Sequence, residues 1–473
     1  MTKTCAPDRS VLRSRLADSV NGHLAENIQR LGWDAGRLAG LQRDRLRVLL
    51  ARAVERSPFH ARRLGGIDTG RFQLADLAGL PVMTKTQMMA EFDQVVTDPR
   101  LRRRVVERHL EDCAGEPSLL FDEYVCLASG GSSGLRGVFA QTIGEYAEFT
   151  SSIARRPMAR MIAAGGPPPE GIRIGIVGAA SPVHSSGFAA AVADGPPMHF
   201  IPAPVTLPLP EIVERLNATR PPTVIGYPTM LRQLAGEQRA GRLRIEPGSI
   251  TAMGELLTPA DRASIAEGFG VGVIDMFVST EGLVGHSEPG GQVLSFASDL
   301  CIAELVDDDN QPVPLGTSSA KVLVTNLHNL TQPLIRYELT DHFTLCPAAS
   351  DHGHLRATVD GRDDAPLRYG DVEVHPLVIR TALTKTPAIR EYQVRQTERG
   401  VAVDMVVDGD GVVDGALDAA AVAESVEMSL RAAGVPDPRA AVHVVSALER
   451  NPETGKVRRF VPLRPRCRGE GPW

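Results

Sequence analysis

The stretch Leu127-Ala128-Ser129-Gly130-Gly131-Ser132-Ser133-Gly134-Leu135-Arg136-Gly137 is where residue type most directly implies chemistry. Small residues let backbone N–H groups approach phosphate oxygens closely, and the serine hydroxyls add further donors. No Gly-Lys-Ser/Thr follows at the spacing of a Walker A loop, so that class of nucleotide site is not implied. Alone, a Gly/Ser run is more often a flexible turn. Its weight comes from the segments that follow it in order. Gly254-Glu255-Leu256 precedes an amphipathic helix, and Ser279-Thr280-Glu281-Gly282 follows the apolar run Val271–Phe277. Then come Asn326-Leu327, Gln332-Pro333-Leu334-Ile335-Arg336-Tyr337 with Asp341 beyond, Gly361-Arg362-Asp363-Asp364, and Thr454-Gly455-Lys456-Val457-Arg458-Arg459.

Other constellations are weaker. Cys346 with His352 and His354 has zinc-ligand residue types, but a loop with one cysteine is the better reading. The segment Ile172–Gly178 lacks GxGxxG and its downstream acid, which argues against a nicotinamide site. Ser185-Ser186 beside His184 is not the Gly-x-Ser-x-Gly elbow of a serine hydrolase. The basic run Arg102 to Arg104 is balanced by Glu107 and Glu111, as on a solvated helix face.

The elements that must position these residues follow from length and pattern. The chain has 473 residues, 43% hydrophobic and 23% charged, the balance of a globular protein of two or three domains. A net charge of −6, with arginines scattered among acids, gives no nucleic-acid-binding surface. No apolar run approaches the ~20 residues that span a bilayer, and the first residues lack a signal peptide's apolar segment. A cytoplasmic protein with six free thiols is expected. Residues 40 to 110 read as helical: Leu41, Leu46, Leu49, Leu50 and Ala53 keep helical spacing, with breaks at Ser57-Pro58 and Leu80-Pro81. From about 120, strands such as Ile172–Val177, Thr223–Tyr227, Val271–Phe277 and Lys321–Thr325 alternate with helices, which predicts an α/β fold. Composition shifts again near Gly361. The expectation is a large domain over 1–361, helical to about 115, of mixed sheets flanked by helices. A small α+β domain over 362–473 would contain strands Gln393–Gln396, Val401–Val407 and Ala441–Val445 and a helix near Ala419–Ala433.

In order and spacing these motifs resemble the adenylate-forming superfamily of acyl-CoA synthetases, adenylation domains and luciferases. Leu41-Gln42-Arg43-Asp44-Arg45-Leu46, Ser57-Pro58-Phe59-His60, Leu77-Ala78-Gly79-Leu80-Pro81 and Thr84-Lys85 narrow the likeness to the phenylacetate–CoA ligase family, over residues 40 to 460. The resemblance implies ATP-dependent activation of a carboxylic acid, with the small domain acting as a mobile lid. By that likeness Ser129, Gly130, Gly131, Ser132, Ser133, Gly134 and Arg136 hold the ATP phosphates. Gly254, Glu255 and Leu256 line the adenine pocket, with Phe277 as the aromatic ring and Ser279 beside it. Thr280 meets the α-phosphate, and Glu281 holds Mg²⁺, a hard cation suited to carboxylate oxygen. Asp341 and Arg362 serve the ribose and phosphate, and Asp364 is the hinge. Lys456 stabilises charge gathered at the α-phosphate. His184, Phe188, Tyr227, Met276 and Gly282 line the acid pocket, which suits an aromatic acid.

The implied second step is transfer to CoA. Two departures bear on it: Asp371 stands where relatives have glycine in the pantetheine loop, and Ala365 replaces a second hinge aspartate. Capture of the adenylate by an amine, another nitrogen nucleophile or a carrier protein is therefore the alternative, and a catalytically inactive nucleotide-binding relative is a third. The departures favour assembly of a secondary metabolite over catabolism, and relatives of this kind include homodimers.

Overall fold

The computed structural model describes residues 9–113, 116–129, 137–169, 171–178, 185–193, 198–205, 207–362, 367–370, 372–374, 376–384, 389–407, 418–450, 457, 459–461 and 463. Two compact units emerge, one running to Gly361 and the other beginning at Arg362.

The first unit opens with helices. Ala35–Arg56 buries Leu46, Leu49, Leu50 and Ala53 completely, a stripe at i, i+3, i+4 and i+7. Each buried leucine of that stripe contributes roughly 1.5–3 kcal/mol over an exposed one. Ser57 ends this helix and caps the next, Pro58–Arg63, whose first residue is the proline expected at a helix start. Beyond it, five strands in chain order, Ile172–Val177, Met198–Pro202, Thr223–Gly226, Ser249–Met253 and Val273–Val278, pair in parallel. Helices Ser185–Ala193, Leu209–Thr219, Pro228–Arg239 and Pro259–Phe269 connect them. Strands Val284–Ser287, Leu294–Phe296, Arg356–Arg362 and Asp341–Leu345 complete the nine-stranded sheet on its other side, so the sheet is mixed. A three-stranded antiparallel sheet of Cys301–Val306, Lys321–Asn326 and Tyr337–Leu339 stands apart from it.

The long helix Ile143–Ala163 packs against the first helix, Arg9–Arg30, and is anchored by buried charge. Arg155 grips Asp299 with both terminal nitrogens, at 2.8 and 2.9 Å, and both side chains are essentially sealed. Asn27 donates to Ser151 Oγ at 2.8 Å. A pair this buried fixes geometry more than it adds stability, because desolvation offsets the Coulomb gain.

The second unit holds a four-stranded sheet in the order Arg439–Val444, Gly400–Val407, Ile389–Thr397, Phe460–Val461. Helices Pro376–Thr384 and Ala419–Ala432 bury Ile379, Leu383, Val422, Val426 and Leu430 in its core. A short hairpin, Leu367–Tyr369 with Val372–Val374, turns at Gly370, whose φ of +62° favours glycine.

Candidate active site

The Gly/Ser run joins the strands of a hairpin, Tyr124–Ala128 and Val138–Thr142. Its ends are clamped together: the Ser129 N–H donates to the Gly137 carbonyl at 2.9 Å, and the Gly137 N–H donates back to Ser129 Oγ at 2.8 Å. Lys85 Nζ donates to the same Ser129 Oγ at 3.0 Å. A Cβ on Gly137 would lie 2.9 Å from Lys85 Cε, so the absent side chain makes room for the lysine stem. Sequence reasoning used Thr84-Lys85 only as a family likeness and did not place Lys85 at the loop. Its capping-box position, with Thr84 and Gln87 bonding each other's backbone N–H, was a usable signal.

Lys85 is placed by the Gln332–Tyr337 motif, 250 residues away in sequence. Met83 exchanges backbone hydrogen bonds with Arg336 and Glu338 at 2.9 Å each. Arg336, with φ of +49°, sends its guanidinium to the Ala78 and Leu80 carbonyls at 2.7 and 2.6 Å and to Glu304 at 3.0 Å. Arg63 donates to the carbonyls of Pro81 and Ile335. Gln332 completes the frame: its amide oxygen accepts from the Ala140 N–H at 2.8 Å and its NH₂ donates to Val138 at 3.1 Å. One motif therefore holds both the phosphate-loop strand and the segment carrying Lys85.

Ser279 to Gly282 form a tight turn. Gly282 donates to the Ser279 carbonyl at 3.0 Å, and Leu283 N–H reaches Ser279 Oγ at 3.2 Å. Gly282 has φ of +107°, and a Cβ there would collide with Asn326 Nδ2 and lie 2.9 Å from His328 Cε1. Asn326 staples the turn, donating to the Glu281 carbonyl at 2.8 Å and accepting from the His328 and Asn329 N–H groups at 3.0 Å. Glu281 is only 5% exposed, yet among the described residues its carboxylate has no ion-pair or hydrogen-bond partner. A carboxylate without a protein partner keeps its oxygens available to a cation. That donor chemistry fits Mg²⁺, with Thr280 half-buried beside it.

Gly254-Glu255-Leu256 follows the strand Ser249–Met253, and Gly254 has φ of +79°. Glu255 Oε2 accepts from Thr229 Oγ1 at 2.8 Å and from its N–H at 3.3 Å, while Oε1 is buried without a partner among the described residues. A spare buried acceptor fits a donor such as an adenine amino group. The strands ending at Gly226, Met253 and Val278 thus all deliver candidate site residues from their carboxyl ends, where open α/β sheets bind ligands. Phe277 meets Phe343 edge-on at 5.1 Å, and Asp341 begins the strand that carries Phe343, so the ring and ribose candidates lie close together.

The acid-pocket candidates divide. Phe188 packs edge-on against Tyr146 at 5.3 Å, in the cluster that contains Phe149, Val278 and Val284. Met276 is buried opposite His286, whose Nε2 has no partner among the described residues and whose pKa burial lowers to about 3. Tyr227 instead caps the helix Pro228–Arg239 and belongs to a different core cluster, with Met230, Leu231 and Ile250. His328, which sequence reasoning passed over, lies against Gly282. Gly130, Gly131, Ser132, Ser133, Gly134, Arg136, His184, Asp364 and Lys456 lie outside the described residues, as do Ala365 and Asp371 and the side chain of Arg362. Among the described residues no three His, Cys, Asp or Glu side chains form a metal cluster. His354 is already used, accepting from Ser298 N–H at 3.3 Å and bonding the Arg30 carbonyl at 2.9 Å. No described helix is long and apolar enough to cross a membrane.

No protein-family model matches this sequence, and no curated protein does. Among solved structures it is similar to 2-hydroxyisobutyryl-CoA ligase in the postadenylation state with R3-HIB-AMP. Identity is 18% over 92% of this chain and 91% of that one, with a TM-score of 0.68. The same ligase in an open conformation with 2-HIB-AMP and CoA gives 19% identity, 90% and 92% coverage, and a TM-score of 0.57. The chain has the fold of the adenylate-forming acid ligases, a mixed α/β unit with a small C-terminal unit.

Proposed function

We propose that this protein is an AMP-forming carboxylic acid ligase. Its first reaction joins an acid to ATP, giving an acyl-adenylate and pyrophosphate; its second transfers the acyl group to CoA. The carrying observation is Glu281, a buried carboxylate without a partner among the described residues, in the turn that also presents Thr280.

In the first step a carboxylate oxygen of the acid attacks the α-phosphorus, and the bond to the β-phosphate oxygen breaks. Ser129 and Lys85 hold the phosphates that depart, and Glu255 accepts from the adenine amino group. Asp341 takes the ribose hydroxyls. Glu281 and Thr280 would hold Mg²⁺, which supplies charge neutralisation on the phosphates. Lys456 stabilises the charge gathered at the α-phosphate. In the second step the CoA sulfur attacks the acyl carbon, the thiol proton is lost, and AMP leaves. The narrower likeness to phenylacetate–CoA ligases and an aromatic acid rest on the motifs and the aromatic cluster at Tyr146, Phe149 and Phe188, and a role in secondary metabolism rests on the departures at Asp371 and Ala365. Asp364 is the hinge in this reading, and the protein is cytoplasmic.

The test is pyrophosphate release from ATP across aromatic and aliphatic acids, with and without CoA. Acid-dependent release with a thioester product is expected. AMP without thioester moves the acceptor to a nitrogen nucleophile or carrier protein, the alternative that Asp371 favours. Absence of release with every acid refutes the ligase reading.

A further inference from the structure

His328 is an imidazole with an unused acceptor beside the turn that presents Glu281. It is 5% exposed, and its backbone N–H is fixed by Asn326 Oδ1 at 3.0 Å. One ring face stacks on Phe149, with centroids 5.7 Å apart and planes at 11°. The ring edge at Cε1 comes within 2.9 Å of the position a Gly282 Cβ would take. Burial lowers the pKa to about 4 despite the nearby Glu148 carboxylate, which raises it, so the ring is neutral at pH 7. Nδ1 is buried without a partner among the described residues, and because an orphaned buried N–H is rarer than an under-satisfied acceptor, the ring proton is assigned to Nε2 and a lone pair to Nδ1. An acceptor kept this way lowers stability until a donor reaches it. The chain has paid that cost at the join between Gly282 and the Phe149, Tyr146 and Phe188 cluster.

We propose that His328 is a specificity-determining residue of the acyl pocket, accepting at Nδ1 a hydrogen bond from a hydroxyl or amino group on the acid. The preferred substrate is then a donor-bearing acid, hydroxy- or amino-substituted, rather than its unsubstituted or O-methylated counterpart. This rests on the ligase reading above. A site built around a hydrogen bond rejects an analogue that cannot make it, because its own polar group is left unpaired.

The experiment measures kcat/KM for pyrophosphate release with hydroxy-, amino-, methoxy- and unsubstituted benzoates and phenylacetates. Wild type, His328→Leu and His328→Asn are compared, with the melting temperature of each recorded. Wild type should favour a donor-bearing acid over its methoxy and unsubstituted counterparts by roughly ten- to a hundredfold. His328→Leu should erase that gap without changing the KM for ATP, a split that a merely structural residue would not produce. His328→Asn, which returns an oxygen acceptor near Nδ1, should keep part of it. The series that shows the gap identifies hydroxyl or amine. Acid-dependent release without donor preference, or a preference that survives His328→Leu, overturns the inference and leaves the ligase reading intact. Absence of release with every acid overturns both.

Discussion

Replacing Lys85 by methionine isolates the cation at the base of the Gly/Ser loop. Methionine keeps the length of the stem over Gly137 and a helical propensity close to that of lysine. The clamp between Ser129 and Gly137 does not involve the ammonium, so the hairpin should persist. On the proposed function, what is lost is a charge-assisted contact to phosphate, worth about 1.5–3 kcal/mol. At 1.36 kcal/mol per tenfold, this is roughly a 10- to 150-fold fall in kcat/KM for ATP. Lys85 is half-buried, so solvent screening places the expectation toward the lower end. The assay is acid-dependent pyrophosphate release with ATP varied at saturating acid, then with acid varied at saturating ATP. The KM for acid and the melting temperature should hold. An active Lys85→Met enzyme whose kcat/KM for ATP stays within twofold of wild type would show that Lys85 only braces Ser129.

Gly282→Ala should be destabilised by about 2–4 kcal/mol, combining positive-φ strain with displacement of the Asn326 amide, and adenylation should fall more than tenfold. Denaturant melts within 0.5 kcal/mol of wild type, roughly the noise level for a surface change, would contradict the staple. Burial lowers His60 and His286 to about 3 and His328 and His354 to about 4. Folded-state values below the unfolded value of about 6.5 mean that the stability is fully present above pH 6.5 and is lost as pH falls toward 4. Each histidine then costs about 1.4 kcal/mol per pH unit in that window, so the melting temperature should be level from pH 8 to 7 and fall steeply from 6 to 5. A flat profile down to pH 5 contradicts the neutral buried assignments. Lys456→Ala should lose most adenylation while retaining ATP binding by calorimetry; wild-type turnover in that variant removes Lys456 from the mechanism.

Residue type and short-range pattern determined much of this protein. Ile172–Val177 is rich in β-branched residues, and its strand has those bounds because such side chains suit a pleated, half-buried surface. At Ser57-Pro58 one helix ends and the next begins, since the proline ring clashes with a preceding helical turn and suits a helix's first position. The glycine of Thr280-Glu281-Gly282 was legible as a turn for a similar reason: its φ of +107° is a conformation that glycine adopts without strain. The tertiary structure alone decided which distant residues share a site. Lys85 meets Ser129 only because Arg336 and Gln332 fasten two segments that local pattern does not connect. Glu255 bonds Thr229 because consecutive parallel strands end side by side, and Tyr227 joins a different core from Phe188 for that reason too. His328 had no signal at all. Its role depends on what does not reach Nδ1, and an unpaired atom is visible only once every neighbour has been placed.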